Sequence, residues 1–289
     1  MISFEERYKK YYDAVNAYLS EKMNSLTANK QLVECMRYAT VLGGKRIRPV
    51  LFLAFLDAFH VDYSKYASLA VAIECIHCFS LVHDDLPAMD NDDFRRGKPS
   101  AHKAFGEATA ILAGDALLNY AYELCLEDAE SVETYRAGAY LSKCAGYRGM
   151  IDGQAYDLEY QFSVPDEQIL YTIDSRKTSA LIKAPIVMAG IIANVDLKPL
   201  ELLGEKMGLI FQFVDDLLDV VGDDKKMGKT LGKDEIEGKT TAVSVYGIKK
   251  AKEIISLMVD ECNEIIDGLG DYDLEFIRDV IKFFAKRSN

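Results

Sequence analysis

The sequence lacks an excess of basic residues. It has 34 lysines and arginines against 46 aspartates and glutamates in 289 residues, which gives a net charge of −12 with histidine neutral. A nucleic-acid-binding surface needs a basic face to meet the phosphates, and a binder of anionic membranes needs a basic amphipathic helix. The charge balance therefore argues against nucleic acid as a partner and against binding to an anionic membrane surface.

The sequence also lacks a long uninterrupted hydrophobic run and a typical leader. Its longest apolar run, residues 66–82, contains Glu74 and His77 and is shorter than the roughly 20 residues that a membrane span needs. The first ten residues, MISFEERYKK, are charged and amphipathic, unlike a signal peptide. We therefore expect a buried helix at 66–82, no stable membrane insertion and a cytoplasmic location.

Cysteine is spread out rather than clustered in a disulfide or zinc framework. Only Cys75 and Cys78 lie close in sequence, with His77 between them, and no second cluster accompanies them as a zinc or redox site would require. In a long acidic chain this usage is typical of a reducing cytoplasm. We expect free thiols at all six positions, which are Cys35, Cys75, Cys78, Cys125, Cys144 and Cys262.

No stretch shows the alternation of a half-buried strand, and no linker, low-complexity segment or short repeat divides the chain. Helical spacing of apolar residues covers almost the whole sequence instead. Glycine and proline mark helix ends at Gly43-Gly44, Pro49, Pro87 and Pro199, and Pro185 predicts a kink in a long helix. The pattern predicts one all-α domain over residues 1–289 with about ten or more helices.

The first concentration of acidic residues is HDDLPAMDNDDFRRGKPSAH, residues 83–102. Asp84 and Asp85 lie near the end of a predicted helix that Pro87 stops. A loop after Pro87 would bring Asp90 back toward Asp84. Such a helix end followed by an acidic loop is typical of one part of a cation site.

The second acidic motif is FQFVDDLLDVVGD, residues 211–223. Asp215 and Asp219 are four residues apart and share a helix face, with Gln212 and Asp216 near the same stripe, so the like charges repel. Burial raises that cost unless cations or protons neutralise the carboxylates. Oxygen ligands with few histidines favour Mg²⁺ or Mn²⁺, although two solvated acidic helix ends remain the alternative.

Basic clusters flanked by glycine accompany both acidic motifs. Arginine and lysine at such positions are suited to phosphate groups. Together with the carboxylates they predict a substrate with several phosphates, held partly by metal and partly by basic side chains. The clusters are GGKRIRP (Lys45, Arg46, Arg48), RRGKP (Arg95, Arg96), RKT (Lys177), KMGKTLGKD (Lys229, Lys233) and GKTT (Lys239).

These motifs, in this order, resemble the trans-isoprenyl diphosphate synthase, or polyprenyl synthetase, family. The resemblance covers essentially the whole chain, and the spacer in DDLPAMD is similar to that of bacterial farnesyl and plant-type geranylgeranyl diphosphate synthases. It implies an all-α isoprenoid synthase fold around a central cavity, usually a homodimer. The segments that carry it are GGKRIRP, SLVHDDLPAMDNDDFRRGKPSAH, ILAGDALL, RKTSALI, FQFVDDLLDVVGD and GKTLGKD.

The resemblance implies a head-to-tail condensation of diphosphate substrates. An allylic diphosphate ionises, the double bond of isopentenyl diphosphate attacks the cation, and loss of a proton leaves a chain five carbons longer. Three Mg²⁺ ions bind the leaving diphosphate in this family, with Mn²⁺ as an alternative. The implied metal ligands are Asp84, Asp90 and Asp215, with Asp85, Asp216 and Asp219 acting through water or as outer partners.

The resemblance also assigns the basic and polar residues. No side-chain base is assigned, because the departing diphosphate is the favoured proton acceptor. The segment from Gly222 to Lys239 is a candidate loop that closes the site during turnover. Thr178 and Gln212 would place oxygens near the allylic cation. The allylic diphosphate would be held by Arg95, Lys177, Lys229 and Lys239, and isopentenyl diphosphate by Lys45, Arg48, His77 and Arg96.

The predicted product is (2E,6E)-farnesyl diphosphate, because Phe79 lies five residues before Asp84, where similar enzymes use an aromatic residue to block the cavity floor. Ser80 lies closer to the helix face of Asp84 than Phe79 does, and Phe79 could instead serve ordinary packing, which leaves a geranylgeranyl product open.

A silent regulatory subunit usually loses an acidic motif, and this chain keeps both. A terpene cyclase or a head-to-head synthase would not need an isopentenyl site, against which GGKRIRP and RRGKP argue, and an acidic cation-binding protein would not need the basic clusters.

Overall fold

The computed structural model describes residues 3–41, 43–127, 129–221 and 233–286, and these are predominantly helical. Two compact units can be distinguished, Met1–Gly138 and Ala139–Asn289. The all-α prediction is confirmed, and a single domain over residues 1–289 stays a prediction.

The first unit consists of helices and one small β-hairpin. An antiparallel ribbon of two-residue strands, β1 (Phe94–Arg95) and β2 (Lys98–Pro99), lies between the fourth and fifth helices, with Arg95 opposite Lys98. The helices are α1 (Phe4–Ser25), α2 (Lys30–Val41), α3 (Ile47–Ala58), a 3₁₀ turn (Tyr63–Tyr66), α4 (Ala67–Asp84), α5 (Ala101–Phe105), α6 (Glu107–Glu127) and the first part of α7 (Val132–Ala145).

Helix α4 is the central helix of this unit. It is apolar on nearly every side and packs against α1, α3 and α6, as expected for a helix buried all round. With the preceding 3₁₀ turn it is long and apolar enough to cross a membrane, but 67% of its 18-residue window of mean hydropathy 1.4 is buried inside the protein. The prediction of a buried helix here is confirmed.

The hairpin was not expected from the sequence. Its two-residue turn is formed by Arg96 and Gly97, with φ values of 54° and 74°, and positive φ at both central positions is the geometry that joins two short antiparallel strands. This turn fixes the direction in which the two adjacent arginines, Arg95 and Arg96, leave the backbone.

The described part of the second unit consists of helices joined by short loops. A π-helix, Asp174–Ser179, separates α9 from α10, and α10 then continues past Pro185, where the sequence predicted a kink. The departure from regular helix thus lies upstream of the proline. The remaining helices are α8 (Met150–Glu159), α9 (Glu167–Ile173), α10 (Ala180–Ala193), α11 (Leu197–Val221), α12 (Lys233–Ile236), α13 (Ala242–Asp267) and α14 (Glu275–Lys286).

Candidate functional site

The first acidic motif forms a closed turn at the end of α4. The Asp90 N–H donates to the Asp84 carbonyl at 2.8 Å, and the Met89 N–H donates to the Leu86 carbonyl at 2.9 Å. The loop after Pro87 therefore returns Asp90 to Asp84, as the sequence predicted. Both aspartates are half-buried, so their side chains keep access to solvent while the backbone turn holds the two residues close together.

Asp85 has a different environment from its neighbours. Its side chain is 2% exposed and accepts from the Arg95 Nε at 2.9 Å, and the same guanidinium reaches Asp92 at 3.3 Å. Burial raises the pKa of Asp85, while the hydrogen bonds and charge of Arg95 oppose that rise. Asp85 thus holds Arg95, which is compatible with the outer role that the resemblance implied.

The second arginine of the hairpin contacts the GGKRIRP segment. The Arg96 guanidinium donates to the Gly43 carbonyl, and a Cβ at residue 44 would overlap that guanidinium. Glycine at position 44 therefore permits the close approach. The structure brings together two basic motifs that are about fifty residues apart in sequence.

The pKa of His77, on α4, is lowered by burial and by the arginines around it. Its pKa is well below the usual range, first because of burial and then because of nearby positive charge, of which Arg48 contributes most and Arg96 next. Burial also lowers the pKa of Arg48 to about 10, and the buried Nε of Arg48 has no hydrogen-bond partner among the described residues. We call this cluster of His77, Arg48 and Arg96 the cationic pocket; its positive charge and unsatisfied donor are suited to an anion.

The remaining basic residues of GGKRIRP differ from each other. Lys45 is exposed, and its carbonyl accepts from the Tyr8 hydroxyl. Arg46 is buried and pairs with Glu74 instead of joining an open phosphate site. The sequence grouped Arg46 with Lys45 and Arg48, and the structure separates it from them.

In the second unit, the π-helix places Lys177 beside α8. The Lys177 ammonium pairs with Asp157, which is buried. A Cβ at Gly153 would overlap the Lys177 backbone, so the glycine allows α8 and the π-helix to approach closely. This contact orients an ammonium group that retains 23% side-chain exposure.

A chain of hydrogen bonds links the π-helix to the second acidic motif. The Thr178 hydroxyl donates to the Gln212 Oε1 at 2.6 Å, and the Gln212 amide donates to the Asp216 Oδ1 at 2.8 Å. The Ala242 N–H, at the start of α13, donates to the other Asp216 oxygen at 2.7 Å. Burial raises the pKa of Asp216 to about 7, with the two hydrogen bonds opposing that rise. Buried Asp216 therefore ties α11 to the start of α13 and fixes the Gln212 side chain.

The other two aspartates of α11 are more accessible. Asp215 and Asp219 are half-buried, and an Asp219 oxygen accepts from the Asp234 N–H at 3.3 Å. Lys239 pairs with Glu237 at 2.7 Å. Lys229 and the greater part of the candidate closing loop, residues 222–232, lie outside the described residues.

Two acidic residues of this region were not identified from the sequence. Asp157 holds Lys177, and Asp174 is buried in the π-helix, where burial and then the charges of Asp216 and Asp157 raise its pKa. Asp157 lies four residues after Gly153 in a segment with little apolar periodicity. Because that segment did not predict a helix, nothing in the sequence indicated that Asp157 lies beside Lys177.

The predicted product-length residues lie on α4. Phe79 is buried, and its ring packs edge-to-face against His83 at 5.7 Å between centroids. The Ser80 hydroxyl donates to the His77 carbonyl at 2.9 Å. A buried aromatic ring is therefore present one to two turns before Asp84.

The acidic residues fit Mg²⁺ better than a metal with a complete protein cage. Within the described residues no group of three or more histidine, cysteine or acidic side chains is assembled as a metal site. Mg²⁺ typically uses one or two carboxylates and completes its shell with water and substrate phosphate. The half-buried aspartates Asp84 and Asp90, brought close by the backbone turn, meet that requirement.

Comparison with known proteins gives consistent results. The model of the polyprenyl synthetase family matches residues 29–266. The chain is 42% identical to farnesyl diphosphate synthase of Micrococcus luteus over 246 residues, 84% of each protein. It is 38% identical to the chloroplastic geranylgeranyl pyrophosphate synthase of Capsicum annuum over 264 residues, 89% of this chain and 71% of that protein.

Solved structures agree over nearly the whole chain. The geranyltransferase of Helicobacter pylori, complexed with magnesium and isoprenyl diphosphate, has 31% identity and a TM-score of 0.82, with 97% of this chain and 96% of that chain covered. The geranyltransferase of Legionella pneumophila has 32% identity and a TM-score of 0.86, with 99% and 98% covered. The similarity confirms the predicted isoprenoid synthase fold.

Proposed function

This chain belongs to the polyprenyl synthetase family of trans-prenyltransferases, and we propose that it makes (2E,6E)-farnesyl diphosphate. It would condense isopentenyl diphosphate first with dimethylallyl and then with geranyl diphosphate. The observation that carries the proposal is that the first unit holds both an acidic turn, Asp84 and Asp90, and a cationic pocket around His77. These features suit a metal-bound diphosphate and a second diphosphate held by basic side chains.

The family is Mg²⁺-dependent, and we propose that Asp84, Asp90 and Asp215 hold the metal, three ions in all, with Mn²⁺ as a substitute. Bound Mg²⁺ would neutralise the charge that builds on the departing diphosphate. Asp85, Asp216 and Asp219 would support these ligands, since Asp85 orients Arg95 and Asp216 accepts hydrogen bonds from Gln212 and Ala242.

The basic residues would divide between the two substrates. Thr178 and Gln212 would place oxygens near the allylic cation, and the departing diphosphate would take the proton, so no side-chain base is required. Burial of these groups would also exclude water from the cation. The allylic diphosphate would be held by Arg95, Lys177, Lys229 and Lys239, and isopentenyl diphosphate by Lys45, Arg48, His77 and Arg96.

A product assay tests the proposal. Purified protein with Mg²⁺ receives labelled isopentenyl diphosphate and dimethylallyl, geranyl or farnesyl diphosphate, and the dephosphorylated products are separated by length. We expect farnesol from the first two primers and little elongation of the third. Geranylgeraniol would keep the chemistry and favour the second candidate, geranylgeranyl diphosphate synthase, to which the chain is similarly related. Folded protein that elongates no primer would indicate a silent subunit.

Replacing Phe79 with alanine is expected to lengthen the product from fifteen to twenty carbons. The substitution removes the aromatic ring that packs against His83 and opens space on α4 before Asp84. Chromatography of the dephosphorylated products measures the change. Phe52→Ala, on α3, is the matched control because Phe52 is fully buried and its loss lowers stability by about 3–5 kcal/mol without altering length. An unchanged product from Phe79→Ala would refute the floor assignment.

His77 is expected to be neutral at pH 7 and to gain a higher pKa when an anion enters the pocket. Burial and then the charges of Arg48 and Arg96 depress its pKa, and inorganic diphosphate would offset those charges. Because the folded pKa lies below the unfolded value of about 6.5, His77 lowers the stability of the fold as pH falls below about 6.5. NMR titration of the four histidines, with His77→Gln for assignment, measures the shift. A pKa unaffected by diphosphate would argue against the pocket.

We also propose a homodimer in the cytoplasm. Apolar side chains on α6, Ile111 and Leu112, are 44% and 59% exposed in the single chain, which favours an interface there. All six cysteines are free, buried thiols, as a reducing compartment would maintain. Analytical ultracentrifugation tests the dimer, and the mass of one chain at micromolar concentration would contradict it.

A further inference from the structure

The proposed function leaves unused a fully buried ion pair in the first unit. The Arg46 Nη1 lies 2.7 Å from the Glu74 Oε1, and the two side chains are 0% and 1% exposed. The Arg46 Nε also donates to the Asn16 Oδ1 at 3.1 Å. Isolated charges at this depth are costly, so each partner depends on the other.

Arg46 has an unusual backbone conformation at a critical point. Its φ and ψ of 52° and 29° are left-handed, a region that non-glycine residues seldom adopt. The residue lies directly before α3, between Lys45 and Arg48. The Tyr8 hydroxyl donates to the Lys45 carbonyl on one side, and the Val50 N–H donates to the Arg46 carbonyl on the other. The side-chain pair therefore holds a strained residue that sets where α3 begins.

Glu74 connects that residue to the helix that carries His77. The two lie three residues apart on α4, on neighbouring turns of one face. Glu74 also acts electrostatically on Arg48, whose pKa it raises against the effect of burial. One carboxylate thus joins both segments that form the cationic pocket, the start of α3 and the middle of α4.

We propose that Glu74 is a positioning residue for isopentenyl diphosphate. Through its pair with Arg46 it holds the start of α3, which carries Arg48, against the part of α4 that carries His77. It does not touch the reacting atoms. This inference rests on the proposed function, because it assigns the cationic pocket to the isopentenyl substrate.

The test uses two variants and one matched control. Glu74→Gln removes the charge and keeps the shape. The double variant Arg46→Met, Glu74→Leu removes both charges, and such apolar replacements of buried pairs usually fold. Asp57→Asn is the control, because Asp57 lies on α3 and accepts from the Tyr11 hydroxyl of α1 at 2.6 Å, away from the pocket. Circular dichroism and melting temperature establish which variants are folded.

The expected result is a split between the two substrates. Both Glu74 variants should raise the KM for isopentenyl diphosphate by about tenfold or more, as misplaced contacts do. The KM for geranyl diphosphate and kcat at saturation should change by less than about twofold, since only binding to one substrate is altered. Glu74→Asp should restore part of the loss, and Asp57→Asn should change neither KM. If the double variant does not fold, Glu74→Gln and Glu74→Asp decide the test on the same readouts.

A second readout does not depend on turnover. Inorganic diphosphate should raise the pKa of His77 in the wild type, and the Glu74 variants should need about tenfold more of it for the same shift. If the wild type elongates no primer but this difference persists, the proposed function fails, and Glu74 still positions the cationic pocket for a diphosphate group. Equal rises in both KM values, or unchanged diphosphate binding in folded variants, would overturn the positioning role.

Discussion

Replacing Asp84 with asparagine is expected to lower kcat for elongation by about a thousandfold, because a metal-ligand oxygen is lost where the diphosphate departs. The corresponding loss of charge stabilisation is about 4 kcal/mol. The hydrogen bond between the Asp90 N–H and the Asp84 carbonyl is a backbone contact, so the turn itself should persist. Steady-state assays at several Mg²⁺ concentrations measure the effect, and the variant should also need more Mg²⁺ for half-maximal rate.

Asp93→Asn is the matched control for this prediction. Asp93 lies three residues after Asp90, has a side chain that is 61% exposed, and pairs with Lys103 at 2.8 Å. Its loss should change kcat by less than about twofold, as exposed pairs contribute little. Equal losses from Asp84→Asn and Asp93→Asn would show that the acidic segment acts only through its net charge.

Replacing Lys177 with glutamine is expected to lower kcat by about a hundredfold to a thousandfold, the range for one preorganised donor at developing charge. The pair with Asp157 and the close contact at Gly153 hold the ammonium in place before any substrate arrives. The KM for isopentenyl diphosphate should change little, because Lys177 is assigned to the allylic diphosphate. Initial rates with each substrate varied in turn measure both quantities.

Lys183→Gln provides the comparison on the same helical segment. Lys183 lies six residues later, on α10, and pairs with Glu205 at 3.2 Å. Its substitution should leave kcat within about threefold, since its pair is partly exposed. The melting temperatures of both variants are needed, because Lys177→Gln leaves the buried Asp157 with a neutral partner. A loss of kcat that follows melting temperature in both variants would assign Lys177 a structural role.

The sequence allowed the closed acidic turn to be predicted but not helix α8. Proline after Asp85 dictated a loop, and the spacing to Asp90 matched a short return. In α8 the buried positions are Met150, Gly153 and Asp157, so only one of the three inward-facing residues has a large apolar side chain. Apolar periodicity is the main signal for a helix, and it disappears where a helix buries functional groups.

Other differences have equally local causes. Strands of two residues are too short for alternation to appear, so the hairpin at Arg96 was not expected. The pattern GGKRIRP presents three basic residues alike, and only the packing of α4 shows that Arg46 meets Glu74 while Arg48 remains for a ligand. The preference of the acidic motifs for Mg²⁺ could be predicted, in contrast, because it depends on carboxylate oxygens, which the residue types alone identify.

The π-helix at Asp174–Ser179 has a consequence for the length of this segment. A π turn holds one residue more than an α turn, and one residue corresponds to a rotation of about 100° around the helix axis. Deleting a single residue there would let α9 and α10 merge into one regular helix, with no loss of helical hydrogen bonding. The faces before and after the deletion would nevertheless be rotated relative to each other, and Lys177 and Thr178 could no longer point to both Asp157 and Gln212. A one-residue deletion anywhere in Asp174–Ser179 should therefore be as harmful to activity as the loss of Lys177 itself.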